Sequence, residues 1–345
     1  MRNHTGSRVL GRVATVLAAA LTLSLAACAA PASEGNGNSE TGADSSYQGI
    51  VPIYTPRQGG SAYIVGGGIA DLLSKSVDGV QGSVEATTGT QEMVLRLSEK
   101  QAAGQPAFII ADSAGQARAL NGQAPFEQPY EDLRALAFLQ DTALHLVVRA
   151  DSTIESIADL EGATIGMGVP GSPVNFLTKE IFEAHGLAED NYQELPYGYE
   201  EVADSLTNGS IDAGVIGGAV PVSTITELAA QLDIRFVPVD PAVMEEVEAE
   251  APYLFSIPIP AGSYQGVDQD VMSYGFSTSI STHKDTPDSL VSEIMEILYG
   301  QTEQLAKVHA SANEISLDRY NRGIAIVFHP AAIAFYEAEG VTLSE

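Results

Sequence analysis

A single cysteine, Cys28, occurs in the 345 residues, which excludes an intrachain disulfide and a thiolate metal centre within one chain. Positive charge is equally scarce. Sixteen lysines and arginines stand against 45 aspartates and glutamates, a formal net charge of −29. Arg2, Arg8 and Arg12 fall at the extreme amino end, so the remainder is more acidic still. No basic stripe exists to meet a phosphate backbone, and nucleic acid is excluded as a partner. The acidity favours solubility, including in salty surroundings, over recognition of a cationic ligand. After the amino-terminal stretch, no apolar run approaches the ~20 residues that a membrane-spanning helix requires.

The first residues have the layout of a secretory signal. The three arginines precede "VATVLAAALTLSLAA", a run too short and too early for an ordinary membrane anchor. Leu25-Ala26-Ala27-Cys28 resembles the lipobox of bacterial lipoproteins, in which the cysteine becomes the lipidated first residue. The alternative is an ordinary cleavage after a small residue with Cys28 incidental. The sole cysteine standing where the motif requires it favours lipidation. Residues 1–27 then read as a signal peptide and 28–48 as a flexible tether, because "AAPASEGNGNSETGADSSYQ" is small and polar without an apolar period. The expectation is an exported, extracytoplasmic protein held at the cell membrane by lipid.

Roughly 295 residues remain, enough for one large or two ordinary domains. Short β-rich runs alternate with helix-period stretches. "GIVPIYT", "GSVEATT" and "PAFIIA" read as strands, separated by a helix through Leu72 and Leu73 and by the helix "QEMVLRLSEK". The order then repeats. "LHLVVRAD", "ATIGMGV", "NYQELPY", "IDAGVIGG" and "IRFVPV" read as strands, with helices in "PGSPVNFLTKEIFEAHGL", "YEEVADSLTNGS" and "AVPVSTITELAAQL". Strand and helix alternating at this spacing predict parallel α/β construction. Residues 49–143 and 144–257 read as two similar α/β lobes. Residues 258–345, with "YGFSTSISTHKD" and the helix "PDSLVSEIMEILYGQTEQL", read as a return segment packing mainly on the first lobe. Ligands of such folds sit beyond the carboxyl ends of the strands.

The stretch "TPRQGGSAYIVGGGIADLL" surrounds a short apolar run with glycines, as phosphate loops do. It lacks the lysine of a Walker loop, and its glycines miss the G-x-G-x-x-G spacing of dinucleotide sites. Gly59-Gly60-Ser61 and Gly171-Ser172-Pro173 instead form a pair, each following a strand and opening a helix. Ser172 suits an N-cap, Pro173 suits the first helical position, and Ser61 is expected to cap its helix likewise. Two helix amino ends on one cleft would present free N–H groups and partial positive charge to an anion. Gly66, Gly67 and Gly68 fall within the helix, which predicts close packing against another backbone.

"TPRQGGSAYIVGGGIADLLSK", "LRALAFLQDTALHLVVRADSTIESIADLEGATIGMGVPGSPVNF", "PIPAGSYQGVDQDV" and the closing "ISLDRY…HPAAIAFYEAEG" together resemble the TAXI family of solute-binding proteins, which serve TRAP transporters. The resemblance runs in order over essentially the whole mature chain. It implies a type II periplasmic-binding-protein fold, with two α/β lobes joined by crossing hinge strands and closing on a ligand. It further implies a binding subunit that delivers a small organic anion to a TRAP-type permease driven by an ion gradient. Independently of the resemblance, His185, His283, His309 and His329 are too scattered in the sequence for a zinc site, and neither catalysis nor a cofactor is expected. The family leaning is toward glutamate, glutamine or a dicarboxylate such as 2-oxoglutarate. Three departures line the implied pocket. Pro56-Arg57-Gln58 replaces a glycine-rich run, Ala62 precedes Tyr63 where two tyrosines are usual, and Pro173-Val174-Asn175 replaces small and hydroxyl residues.

Carried over position by position, the first lobe contributes Arg57, Gly60, Ser61, Tyr63, Thr88, Gly89, Thr90, Asp112 and Ser113. The second contributes Gly171, Ser172, Asn175, Gly217 and Gly218, the last pair ahead of Pro221. Each has a plainer reading. Tyr63 stacks on a ligand or packs at the lobe surface, and Thr88 and Thr90 contact ligand or only cap the next helix. Asp112 at a helix start fits an N-cap better than an ammonium receptor. Arg57 would hold a carboxylate with its planar fork, or face solvent as loop arginines do. His145 alternates with apolar neighbours and reads as structural, and Arg149 braces the hinge. Ser61, Ser113 and Ser172 lie in no motif with a histidine, which weighs against a serine hydrolase. A ligand-sensing lipoprotein for a membrane kinase stays open beside transport.

Overall fold

The computed structural model describes residues 47–56, 58 and 60–343. Cys28, Arg57 and Gly59, with the expected signal peptide and nearly all of the tether, lie outside the described residues. Strand β1 (Gly49–Thr55) is buried along its last five positions, as a parallel strand covered on both faces must be. It leads into α1 (Ser61–Ser76), which buries Val65, Ile69, Leu72 and Leu73, one stripe of helical period. A Cβ on Gly66 would lie 2.9 Å from Thr55 Cγ2, and one on Gly68 3.1 Å from Leu305 Cδ2. Those two glycines do mark close packing, but against side chains of β1 and of residues 305–308 and not against the backbone expected. Gly67, with nothing nearer than 3.7 Å, does not.

Then follow β2 (Val80–Ala86), α2 (Thr90–Ala102), β3 (Phe108–Asp112), α3 (Ser113–Asn121) and the 17-residue β4 (Leu133–Arg149). The second half comprises β5 (Thr164–Gly166), α4 (Pro173–Ala184), β6 (Gln193–Leu195), α5 (Tyr199–Asn208), β7 (Ala213–Gly218), α6 (Ser223–Ala229) and β8 (Ile234–Phe236). After α7 (Pro241–Glu250) and β9 (Leu254–Ile259) comes the long β10 (Val271–His283). Helices α8 (Asp288–Gly300), α9 (Thr302–Val308) and α10 (Pro330–Ala338) close the chain.

Four expectations shift. β4 begins at Leu133 rather than Leu144, and β2 starts before Gly82. The single helix expected from Pro287 is divided at Gly300–Gln301 into α8 and α9, and α7 and β9 had no sequence signal assigned.

Among the described residues, ten strands form one sheet in the order β2-β1-β3-β10-β4-β7-β5-β6, with β8 added to β4 and β9 to β10. Two parallel triplets, β2-β1-β3 and β6-β5-β7, are therefore joined by the antiparallel pair β4 and β10. This is the two-lobed α/β fold with crossing strands. Val51, Ile69, Leu73, Ile294, Leu298 and Tyr336 share one core, so α8 and α10 pack with α1 around the first triplet. Leu146, Ile165, Leu177, Ile181, Phe182 and Val215 share another around the second. No helix among the described residues is long and apolar enough to cross a membrane.

Candidate functional site

The register fixes where the two carboxyl edges meet. β3 ends at Asp112, which pairs with Thr278 of β10, and Thr278 pairs in turn with Gln140 of β4. β7 runs the opposite way along β4 and ends at Gly218, opposite Ala143. Asp112 and Gly218 thus approach the same short segment of β4 from opposite directions. Gln140 and Ala143 are only about 10 Å apart along a strand. Ligands of α/β folds bind beyond the carboxyl ends of the strands, and both edges end at this segment.

On the first edge, Gly60 is the N-cap of α1 and no side chain caps that helix. Ser61 does not cap it, contrary to expectation. With Gly60 already in the extended conformation, Ser61 is the first helical residue, and its Oγ accepts from Gln140 Nε2 at 2.6 Å. Tyr63 lies half-buried in the first turn. Gly89 is the N-cap of α2 at φ +153°, a conformation that L side chains rarely adopt. Neither neighbouring threonine caps that helix. Thr88 donates through its N–H and its hydroxyl to Glu92 Oε2, at 2.7 and 2.8 Å, and Thr90 Oγ1 donates to Asp112.

Asp112 is the N-cap of α3, accepting from Gly115 N–H at 2.5 Å. Its burial pushes the carboxyl above the usual range, while the Thr90 and Gly115 bonds pull it back. The capping reading of Asp112 therefore holds. Ser113, 2 % exposed, has an Oγ with no partner among the described residues. An unpaired buried hydroxyl is uncommon, and here it sits at a helix start on the carboxyl edge.

On the second edge, Gly171 is exposed at φ +80°, and Ser172 caps α4 by accepting from Asn175 N–H at 3.3 Å, with Pro173 in the first turn. Asn175 is buried and already engaged. Its Nδ2 donates to Glu194 Oε1 at 2.6 Å and to Met167 O at 3.4 Å, so it orients the α4 start. Gly217 is small because α4 approaches: a Cβ there would meet Val174 Cγ2 at 3.0 Å and Tyr199 Oη at 2.9 Å. A Cβ on Gly218 would lie 2.7 Å from Val222 Cγ2.

The turn after Gly218 is held by a chain of hydrogen bonds from β4. His145 Nδ1 is 3.0 Å from Ile216 O and must carry the proton, since a carbonyl only accepts. Nε2 is then an acceptor for the Tyr264 hydroxyl at 2.9 Å, whose oxygen accepts Val222 N–H at 2.9 Å. Burial lowers the imidazole to about 4, which keeps this neutral tautomer at ordinary pH. His145 is structural, as its apolar neighbours indicated, and what it shapes is the second edge.

Behind the crossing strands, Asp141 receives Arg319 and, at 3.0 Å, Arg322 Nε. Glu314 accepts from Arg319 Nη1 at 3.1 Å and from Asp141 N–H at 2.9 Å. Arg319 also lies over Phe138, 4.5 Å from the ring centre. Arg149, expected to brace the hinge, instead reaches the end of α5, where Nη1 donates to Leu206 O at 3.3 Å. Sequence reasoning missed Gln140, Asp141 and Thr278, which occupy the middle of the crossing strands.

Residues 53–340 match the NMT1-like family, and the chain belongs to it. Solved structures with related shape include the periplasmic aliphatic sulphonate binding protein SsuA from Escherichia coli. It is 16% identical over 84% of this chain and 82% of its own, with a TM-score of 0.44. A TctC solute binding protein from Polaromonas is 16% identical over 84% and 96%, with a TM-score of 0.49. A structure described as bearing on glutathione import via GshT and the cystine ABC importer TcyBC of Streptococcus mutans is 12% identical over 82% and 98%, with a TM-score of 0.44.

Proposed function

We propose that this protein is an extracytoplasmic solute-binding protein of the TAXI kind, tethered by lipid on Cys28. It takes a small organic anion between its lobes and delivers it to a TRAP-type permease. The observation that carries the reading is the convergence of the carboxyl edges ending at Asp112 and Gly218 on Gln140–Ala143. The lobes are assigned to 49–143 and 144–257, with 258–345 returning to the first.

The ligand is glutamate, glutamine or a dicarboxylate such as 2-oxoglutarate, seated against the Ser61 and Ser172 helix starts. Free N–H groups of α1 and α4 meet one carboxylate, and Arg57 adds a full positive charge. Gly60, Tyr63, Thr88, Gly89, Thr90, Ser113, Gly171, Asn175, Gly217 and Gly218 form the surrounding wall. Ser61 and Ser172 have Gln140 and a backbone N–H as partners, an arrangement suited to holding a ligand and not to activating a nucleophile.

A thermal-shift panel of organic acids and amino acids on the unliganded protein tests the reading. A true ligand at a hundred times its dissociation constant stabilises the folded state by about 2.7 kcal/mol. A panel in which no acid raises the melting temperature argues against it.

A further inference from the structure

Helices α3 and α4 open on opposite carboxyl edges, yet their side chains join. Arg118, in the last turn of α3, donates through Nη2 to Glu180 Oε1 of α4 and through Nη1 to Ala124 O at 3.2 Å. Its guanidinium carbon lies 4.2 Å from the centre of the Phe176 ring. Phe176 and Glu180 are one turn apart on α4, so ring and carboxylate meet the arginine from one helix face. The side chains of the pair are 21% and 31% exposed, which leaves it less screened than an open surface pair.

Helix α3 is itself divided between the two cores. Ala114 belongs to the second and Ala119 to a cluster of the first triplet with Met93, Ile109 and Ala135. Among the described residues, Arg118 Nε is buried without an acceptor. The arginine is held by the ring and by the opposite lobe's carboxylate at the expense of one of its own donors.

We propose that Arg118 and Glu180 are a positioning pair that draws the lobes together before ligand arrives, raising affinity without touching the ligand. The effect on affinity rests on the solute-binding reading; the effect on lobe spacing does not. A ligand held between two lobes binds the closed arrangement, so its apparent dissociation constant is the intrinsic one divided by the closed fraction. An ion pair and a cation–ring contact spanning the lobes raise that fraction. Partly exposed pairs contribute modestly, which makes this a graded bias that still permits release.

The test uses the full chain with Cys28→Ser and spin labels at Lys75→Cys and Glu161→Cys, one exposed site on each half. Pulsed dipolar spectroscopy reads the label separation without ligand, and calorimetry with glutamate and 2-oxoglutarate reads affinity. Arg118→Glu should shift the population to longer distances and weaken binding about two- to five-fold. Glu180→Gln should do so to a lesser degree, and it serves where charge reversal disturbs folding. The exchanged pair, Arg118→Glu with Glu180→Arg, should restore both readings. Unchanged distances in both single variants overturn the proposal, as does an exchange that restores nothing. Neither acid binding the parent would count against the solute-binding reading, while the distances would still decide the pair.

Discussion

Gln140 Nε2 lies 2.6 Å from Ser61 Oγ and joins the middle of the crossing strand β4 to the first residue of α1 across 79 positions of sequence. Gln140 is 5 % exposed, so removing its partner strands a buried amide. Ser61→Ala should therefore cost about 1–3 kcal/mol. Ser61→Ala combined with Gln140→Leu should cost less than the two single losses added, because no polar group is then left unpaired. Urea unfolding of the four proteins measures this. Strict additivity would mean that the bond contributes nothing.

The His145–Tyr264–Val222 chain makes a prediction about pH. The folded imidazole titrates at about 4, below its ordinary 6.5, because burial opposes the charge. Unfolded chains take up that proton first as pH falls. The contribution is thus intact above pH 6.5 and is lost progressively down to pH 4, to a limit of about 3 kcal/mol. Histidine side-chain NMR should find a neutral His145 with its proton on Nδ1 at pH 6. A midpoint near 6.5 would contradict the buried arrangement. Tyr264→Phe, which strips partners from both His145 Nε2 and Val222 N–H, should destabilise by about 1–3 kcal/mol.

These two networks also show what the sequence made legible. The alternation of strands and helices and the caps at Asp112 and Ser172 were readable, because each depends on neighbours a few residues away. The first part of β4 was not. "LRALAFLQDTA" carries three alanines and four polar or charged residues, Arg134, Gln140, Asp141 and Thr142, which blur a strand pattern. It is a strand because β10 flanks it and because its polar residues find distant partners, Gln140 at Ser61 and Asp141 at Arg319 and Arg322. Ser61 was misread as a cap for the same reason. Its hydroxyl serves a partner that local pattern cannot reveal.

Arg57 invites a comparison of charge states. If its guanidinium meets the ligand carboxylate, Arg57→Ala should weaken binding of the acid by about 1.5–3 kcal/mol, the range for a hydrogen bond to a charged group. The corresponding neutral amide should lose less. Arg57→Lys should recover only part of the loss, since an ammonium cannot reproduce a planar two-point fork. Equal losses for acid and amide, read by calorimetry, would return anion recognition to the helix starts.

Lipid attachment at Cys28 is tested in cells. Cys28→Ala should abolish incorporation of a fatty-acid analogue and leave the protein unprocessed or released. Undiminished label on the variant would defeat the lipoprotein reading.

The central claim is that one organic anion occupies the space between the Ser61 and Ser172 helix starts, over Gln140–Ala143. Calorimetric titration of the strongest acid from the thermal-shift panel against the parent, Gln140→Leu and Ser172→Leu tests it most directly. Loss of the Ser172 cap costs about 1 kcal/mol of stability and loss of the Gln140–Ser61 bond about 1–3 kcal/mol, so urea unfolding first checks that each variant is folded at room temperature. The account predicts saturable one-to-one binding to the parent and at least a roughly tenfold weaker constant, about 1.4 kcal/mol, in each variant. Binding of undiminished strength in both folded variants would place the ligand elsewhere and contradict the account.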